Sequence, residues 1–181
     1  MARAFVSQNS ATPFRSAPST AEPLPTLFTL GYQHRSLAEF LEFLRDAYID
    51  VLVDVRETAW SHKPGFSKGA LRAALSAEGI AYVHASFAGN PKRIRARASS
   101  HEECLQLFAT YLESNRTIVE MFDELVGRLL DAGKRVCVTC YERHPDDCHR
   151  GILAERWAYG YCRHVEHLGS DGAHRLRRAY G

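Results

Sequence analysis

The stretch RVCVTCYERHPDDCHRG, Arg135 to Gly151, reads as a strand, a short polar loop and the start of a helix. Val136 to Cys140 is an apolar run rich in β-branched residues and preceded by Gly133, the pattern of a buried strand. Pro145-Asp146-Asp147 closes the loop. Asp147 is placed to cap a helix that opens at Cys148-His149-Arg150 and runs on through Leu153, Ala154 and Trp157. In an open α/β sheet such a junction lies at the carboxyl end of a strand, where ligands bind. Cys140, Glu142, His144, Asp146, Asp147, Cys148, His149 and Arg150 all fall within it.

Outward from this stretch, four more segments read as strands: Leu27–Leu30, Asp50–Val55, Ile80–His84 and Arg163–Leu168. Helical patterns lie between them. Ser36 with Glu39 forms a capping box ahead of the stripe Leu37, Phe40, Leu41 and Leu44. Ser67 is expected to cap a helix carrying Leu71, Ala74 and Leu75 and ending at Gly79, and two more helices are expected over 100–112 and 117–130. Residues 87–99 read as irregular and basic. This alternation predicts a single α/β domain over 26–170, Rossmann-like in class. Its sheet is five-stranded and mostly parallel, with helices on both faces and a cleft at the carboxyl ends of the strands. Residues 1–25 read as a disordered or loosely packed tail, and 171–181 as a basic tail.

The totals bound the function class. With 181 residues, 45% hydrophobic and 24% charged, the chain has the composition of an ordinary globular protein. A net charge of +2 gives no argument for nucleic-acid binding, which must come from local clusters. No apolar run approaches the roughly 18 residues of a membrane span. Five scattered cysteines, an odd number, point to reduced thiols and a cytoplasmic protein rather than a disulfide framework.

Parallel strands gather their carboxyl ends on one edge. That edge collects Tyr32 and Arg35, then Asp54, Arg56 and Glu57, then His84, and finally Cys140, Glu142, His149 and Arg150. The helix start at Cys148 favours an anion, with Arg150, Arg56 and Arg35 as further contacts. A thiol in that first turn is expected to have a lowered pKa. Asp54 and Glu142 are candidates for an acid–base pair, with His84 or His149 as alternates, unless one carboxylate only orients the arginines. Lys92 and Arg93 belong to the densest basic run, Lys92 to Arg97, suited to a nucleic-acid backbone.

Neither a glycine-rich phosphate loop nor a nucleophile-elbow pattern is present. Cys137 and Cys140 face opposite sides of one strand, so they cannot share an ion. Cys140, His144, Cys148 and His149 are the plausible alternative for zinc, but their spacing matches no common signature. No metal or cofactor is therefore assigned. Cys104, Cys137 and Cys162 read as packing residues.

Thr29-Leu30-Gly31-Tyr32 with Arg35-Ser36, Val53-Asp54-Val55-Arg56, Pro64-Gly65-Phe66-Ser67, and Cys140-Tyr141-Glu142 followed by Cys148-His149-Arg150 resemble, in order, the domain of unknown function 488 family. The resemblance spans about residues 27–168. It implies a compact α/β domain and adds weight to Asp54, Arg56, Cys140, Glu142, Cys148, His149 and Arg150 as site residues, without assigning their roles. Members commonly read Cys-Ala-Glu where this chain has Cys140-Tyr141-Glu142, so an aromatic is added at the cleft.

The leading expectation is an enzyme acting on a nucleotide or nucleic acid by hydrolysis or transfer, for example at a glycosidic bond. In it, Glu142 or Asp54 is base or nucleophile. One alternative is a thiol enzyme using Cys148 or Cys140 as nucleophile beside His149. The other is a non-catalytic nucleic-acid-binding module.

Overall fold

A computed structural model describes residues 26–161 and 163–169. The two expected tails and Cys162 lie outside the described residues. The elements run β1 (Thr26–Gly31), α1 (Leu37–Asp46), β2 (Val51–Asp54), α2 (Lys68–Ala77), β3 (Ala81–His84), α3 (Lys92–Arg95), α4 (His101–Ser114), α5 (Arg116–Asp131), β4 (Val136–Cys140), α6 (His149–Tyr161) and β5 (His164–His167). A 3-10 turn, Ser86–Ala88, follows β3.

The sheet is parallel throughout, in the order β3-β2-β4-β1-β5. Burial follows that order. Every residue of β2 and β4 is buried, as apolar strands covered on both faces require, while β3 and β5 at the edges are half exposed. One face packs Val51, Val53, Val136 and Val138 under Phe108 and Leu112 of α4, Phe122 and Val126 of α5, and Leu153 and Trp157 of α6. The other packs Phe28, Leu30, Leu52 and Cys137 under Phe40 and Leu44 of α1 and Leu71 and Leu75 of α2. Cys137 and Cys140 therefore do lie on opposite faces.

Two local expectations are corrected. Ser67 holds the N-cap position of α2 but makes no capping bond; its hydroxyl donates to the Ser61 carbonyl oxygen instead and ties down the loop before it. The basic run is not irregular throughout, because Lys92–Arg95 forms one helical turn pinned by Ile94 in the core.

Strand order decides where the site lies. β4 sits between β1 and β2, with Gly31 level with Cys140 and Asp54 level with Thr139. The loops leaving these three strands must meet above β4. They meet closely: a Cβ on Gly31 would overlap the Glu142 carbonyl oxygen, so only glycine admits the loop after β4 at that distance.

Candidate functional site

Above β4 opens a cleft of about 770 Å³. Tyr32, Arg56, Cys140, Glu142 and His149 contribute to it from the strand ends, and Trp60, Ser61, His62 and Lys63 from the long loop after β2. Trp60 is 60% exposed and Tyr141 45%, unusually open for aromatics in a folded domain. Tyr141 meets Tyr32 edge-on at 5.4 Å, and Trp60 meets His62 edge-on at 4.1 Å.

At the floor, Cys140, Glu142, Cys148 and His149 bring their ligand atoms within 4.8 Å of one another. Glu142 Oε2 lies 2.8 Å from Cys148 Sγ and 3.5 Å from Cys140 Sγ. His149 Nδ1 is 3.6 Å from Cys140 Sγ, and its Nε2 is 2.9 Å from the Val55 carbonyl oxygen, to which it donates. The ring of Phe108 stands edge-on to the imidazole. His144, the other histidine of the loop, is exposed and outside this group.

The cluster's groups perturb one another strongly. Burial, then the neighbouring Cys148, pushes the Glu142 carboxyl up to about 7. Burial, with Cys148 and Glu142, pushes the Cys140 thiol well up. Burial opposes ionisation of Cys148, but hydrogen bonds from Cys140 and His149 and the charges of Arg150 and His149 outweigh it and hold this thiol well below its ordinary range. His149 is raised: burial works against its charge, and Cys148 and the Val55 carbonyl overcome it.

Asp54 and Arg56 form a buried pair beside this cluster. Arg56 Nε donates to Asp54 Oδ1 at 2.9 Å and Nη2 to Oδ2 at 2.6 Å. Its Nη1 donates to the Tyr32 hydroxyl and to the Phe66 carbonyl oxygen. Tyr82 donates to Asp54 Oδ2 at 2.7 Å, and burial, with Asp54, raises its phenol pKa. Burial opposes the Arg56 charge, but Asp54 outweighs it, so the guanidinium stays firmly protonated. The Asp54 carboxylate is thus occupied in orienting Arg56, and Arg56 reaches the cleft already held by three residues.

Other expected residues stand elsewhere. Arg35 turns away from the cleft, donating to the carbonyl oxygens of Gly31 and Gly169 and lying over Phe43. Arg150, 1% exposed, faces the back of the loop after β4 and donates to the carbonyl oxygens of Glu142 and Arg143, so it straps the loop down. His84 donates from Nε2 to the Arg56 carbonyl oxygen. Of the basic run, Arg95 lines the cleft, paired with Glu57 at 2.7 Å. Arg93 instead covers Tyr111, and the Lys92 amide donates to Glu57.

The cleft also holds residues that the sequence did not single out. Lys63 donates to the Tyr32 carbonyl oxygen at its wall, and His101 lines it from α4. Asn90, 6% exposed, lines it too, and its Oδ1 has no partner. Nothing local marks Asn90, His101 or Tyr82, because packing from distant elements brings them in.

A family model described as domain of unknown function DUF488 matches residues 36–157, well over half of the chain. Comparison with curated proteins and with solved structures finds no match.

Proposed function

The chain belongs to the DUF488 family, whose description names no reaction, and we propose that its cleft is the active site of a hydrolase or transferase for a nucleotide or a short single-stranded segment of nucleic acid. The observation that carries this reading is the position of Glu142. Glu142 lines the cleft, and its carboxyl group accepts from the Cys148 and Cys140 thiols but not from Arg56, whose partner is Asp54. Of the two candidate carboxylates, Glu142 is the one not held in an ion pair and so the one suited to act as general base on a bound substrate or water.

The walls suit the substrate class. Trp60 and Tyr141 offer exposed faces for stacking a base, and Lys63 and Arg95 offer positive charge to phosphate. The unpartnered Asn90 Oδ1 is an acceptor suited to an amino group on the base. A thiol nucleophile must be reachable, and Cys148 and Cys140 are only 1% and 4% exposed, whereas Glu142 is half-buried. That difference favours Glu142.

The test incubates the purified chain with a panel of nucleotides, nucleosides and short oligonucleotides and follows products by mass. Conversion by the wild type that falls on the order of 10²- to 10⁴-fold in Glu142→Gln, with binding retained, supports the reading. A wild type that neither binds nor converts any member of the panel overturns it.

A further inference from the structure

The donor set at the cleft floor has the composition and spacing of a tetrahedral metal centre. For zinc, metal–sulfur bonds of about 2.3 Å and metal–oxygen or metal–nitrogen bonds of about 2.0 Å at tetrahedral angles require sulfur-to-oxygen and sulfur-to-nitrogen edges of about 3.5 Å. Cys140 Sγ lies 3.5 Å from Glu142 Oε2 and 3.6 Å from His149 Nδ1. The remaining edges fall within 4.8 Å, the shortest being Cys148 Sγ to Glu142 Oε2 at 2.8 Å, which must lengthen to admit the ion.

The surroundings match as well. Metal-binding histidines characteristically donate their second ring nitrogen to a carbonyl or carboxylate, which fixes the ring and leaves the first nitrogen for the ion. His149 does this with the Val55 carbonyl oxygen. Two thiols and a carboxylate converge in a buried space, and the guanidinium beside them, Arg150, spends two of its donors on the carbonyl oxygens of Glu142 and Arg143.

We propose that Cys140, Cys148, His149 and Glu142 bind one zinc ion at the floor of the cleft. Binding displaces the thiol protons to solvent, and the ion takes the two thiolates, the neutral imidazole through Nδ1 and the carboxylate. Glu142 is the hard ligand, so it is the one that a water from the cleft can replace. Displaced, it stays beside that water, in the base position proposed above. The inference stands on donor geometry and goes beyond that reading without depending on it.

The full chain, stripped with a chelator, is titrated with cobalt(II) as a spectroscopic probe and then with zinc. The expected result is one cobalt per chain, with visible bands of tetrahedral intensity and a near-ultraviolet thiolate charge-transfer band of two-sulfur strength, all bleached by one equivalent of zinc. Cys140→Ser and Cys148→Ser should each weaken binding at least 100-fold, and Glu142→Gln about 10-fold, whereas Cys104→Ser, outside the cluster, should leave it unchanged. A wild-type spectrum with one thiolate or none overturns the proposal even if a variant fails to fold. So does a charge-transfer band that survives in Cys140→Ser/Cys148→Ser. The readout needs no turnover. An absent zinc site therefore leaves the Glu142 reading to its own test, and an inactive enzyme leaves the zinc site standing.

Discussion

His149, the first residue of α6, donates its Nε2 proton to the carbonyl oxygen of Val55, one residue beyond β2, at 2.9 Å. This bond joins the loop after β4 to the exit of a neighbouring strand and turns Nδ1 toward Cys140. Removing the ring leaves a buried carbonyl without its partner and a void against Phe108. His149→Ala should lower stability by about 2–4 kcal/mol, or roughly 5–15 °C in Tm for a chain of this size, read from thermal unfolding.

Asp54 and Arg56 should behave as a structural pair. Both are buried, and removing one partner strands the other's charge. Asp54→Asn should cost about 3–5 kcal/mol in urea unfolding. Glu142→Gln should cost far less, because an amide still accepts from Cys148. If Asp54→Asn folds with wild-type stability, the pairing assigned to Arg56 is wrong.

The cleft walls should separate into stacking and charge. Trp60→Ala should weaken binding of a nucleotide or oligonucleotide on the order of 10- to 100-fold with little change in salt dependence. Lys63→Ala and Arg95→Ala should weaken it less, and on oligonucleotides each should flatten the slope of log affinity against log salt by about one. Arg93→Ala, which uncovers Tyr111 outside the cleft, should leave affinity unchanged. Fluorescence titrations at several salt concentrations check all four.

The capping box of α1 gives a pH-dependent prediction. Glu39 accepts from the Ser36 hydroxyl and amide, and these bonds hold its carboxyl below the ordinary value of 4.5. A carboxyl lowered in the folded state stabilises the fold above its unfolded pKa, and that contribution is lost as pH falls through the folded one. Ser36→Ala should therefore lower the urea midpoint near neutral pH, and the difference from wild type should shrink below about pH 4.5. Urea midpoints at the two pH values measure this.

Much of the fold was legible because it is local. Val136–Cys140 is mostly apolar and rich in β-branched residues, and a strand of that kind is stable only when covered on both faces. The capping box at Ser36 and Glu39 formed as expected, because its partners are three residues apart. Ser67 followed the same local rule and still failed to cap, because Ser61 competed for its hydroxyl from across the loop. The basic run misled for a similar reason. Its charge was visible, but which of Lys92, Arg93 and Arg95 faces the cleft depends on where Ile94 anchors the turn.

The sequence by itself determined a parallel α/β domain and a chemically dense junction after its central strand. Periodicity and turn chemistry act over a few residues and need no knowledge of neighbours. Only the tertiary structure decided the partners. It set β4 between β1 and β2, which brings Val55, Cys140 and His149 to one point and places Glu142 beside them in the cleft. The physical reason is that strand order is set by how helices cover the two sheet faces. Contacts between residues about ninety positions apart, such as Val55 with His149, exist only once that order is fixed.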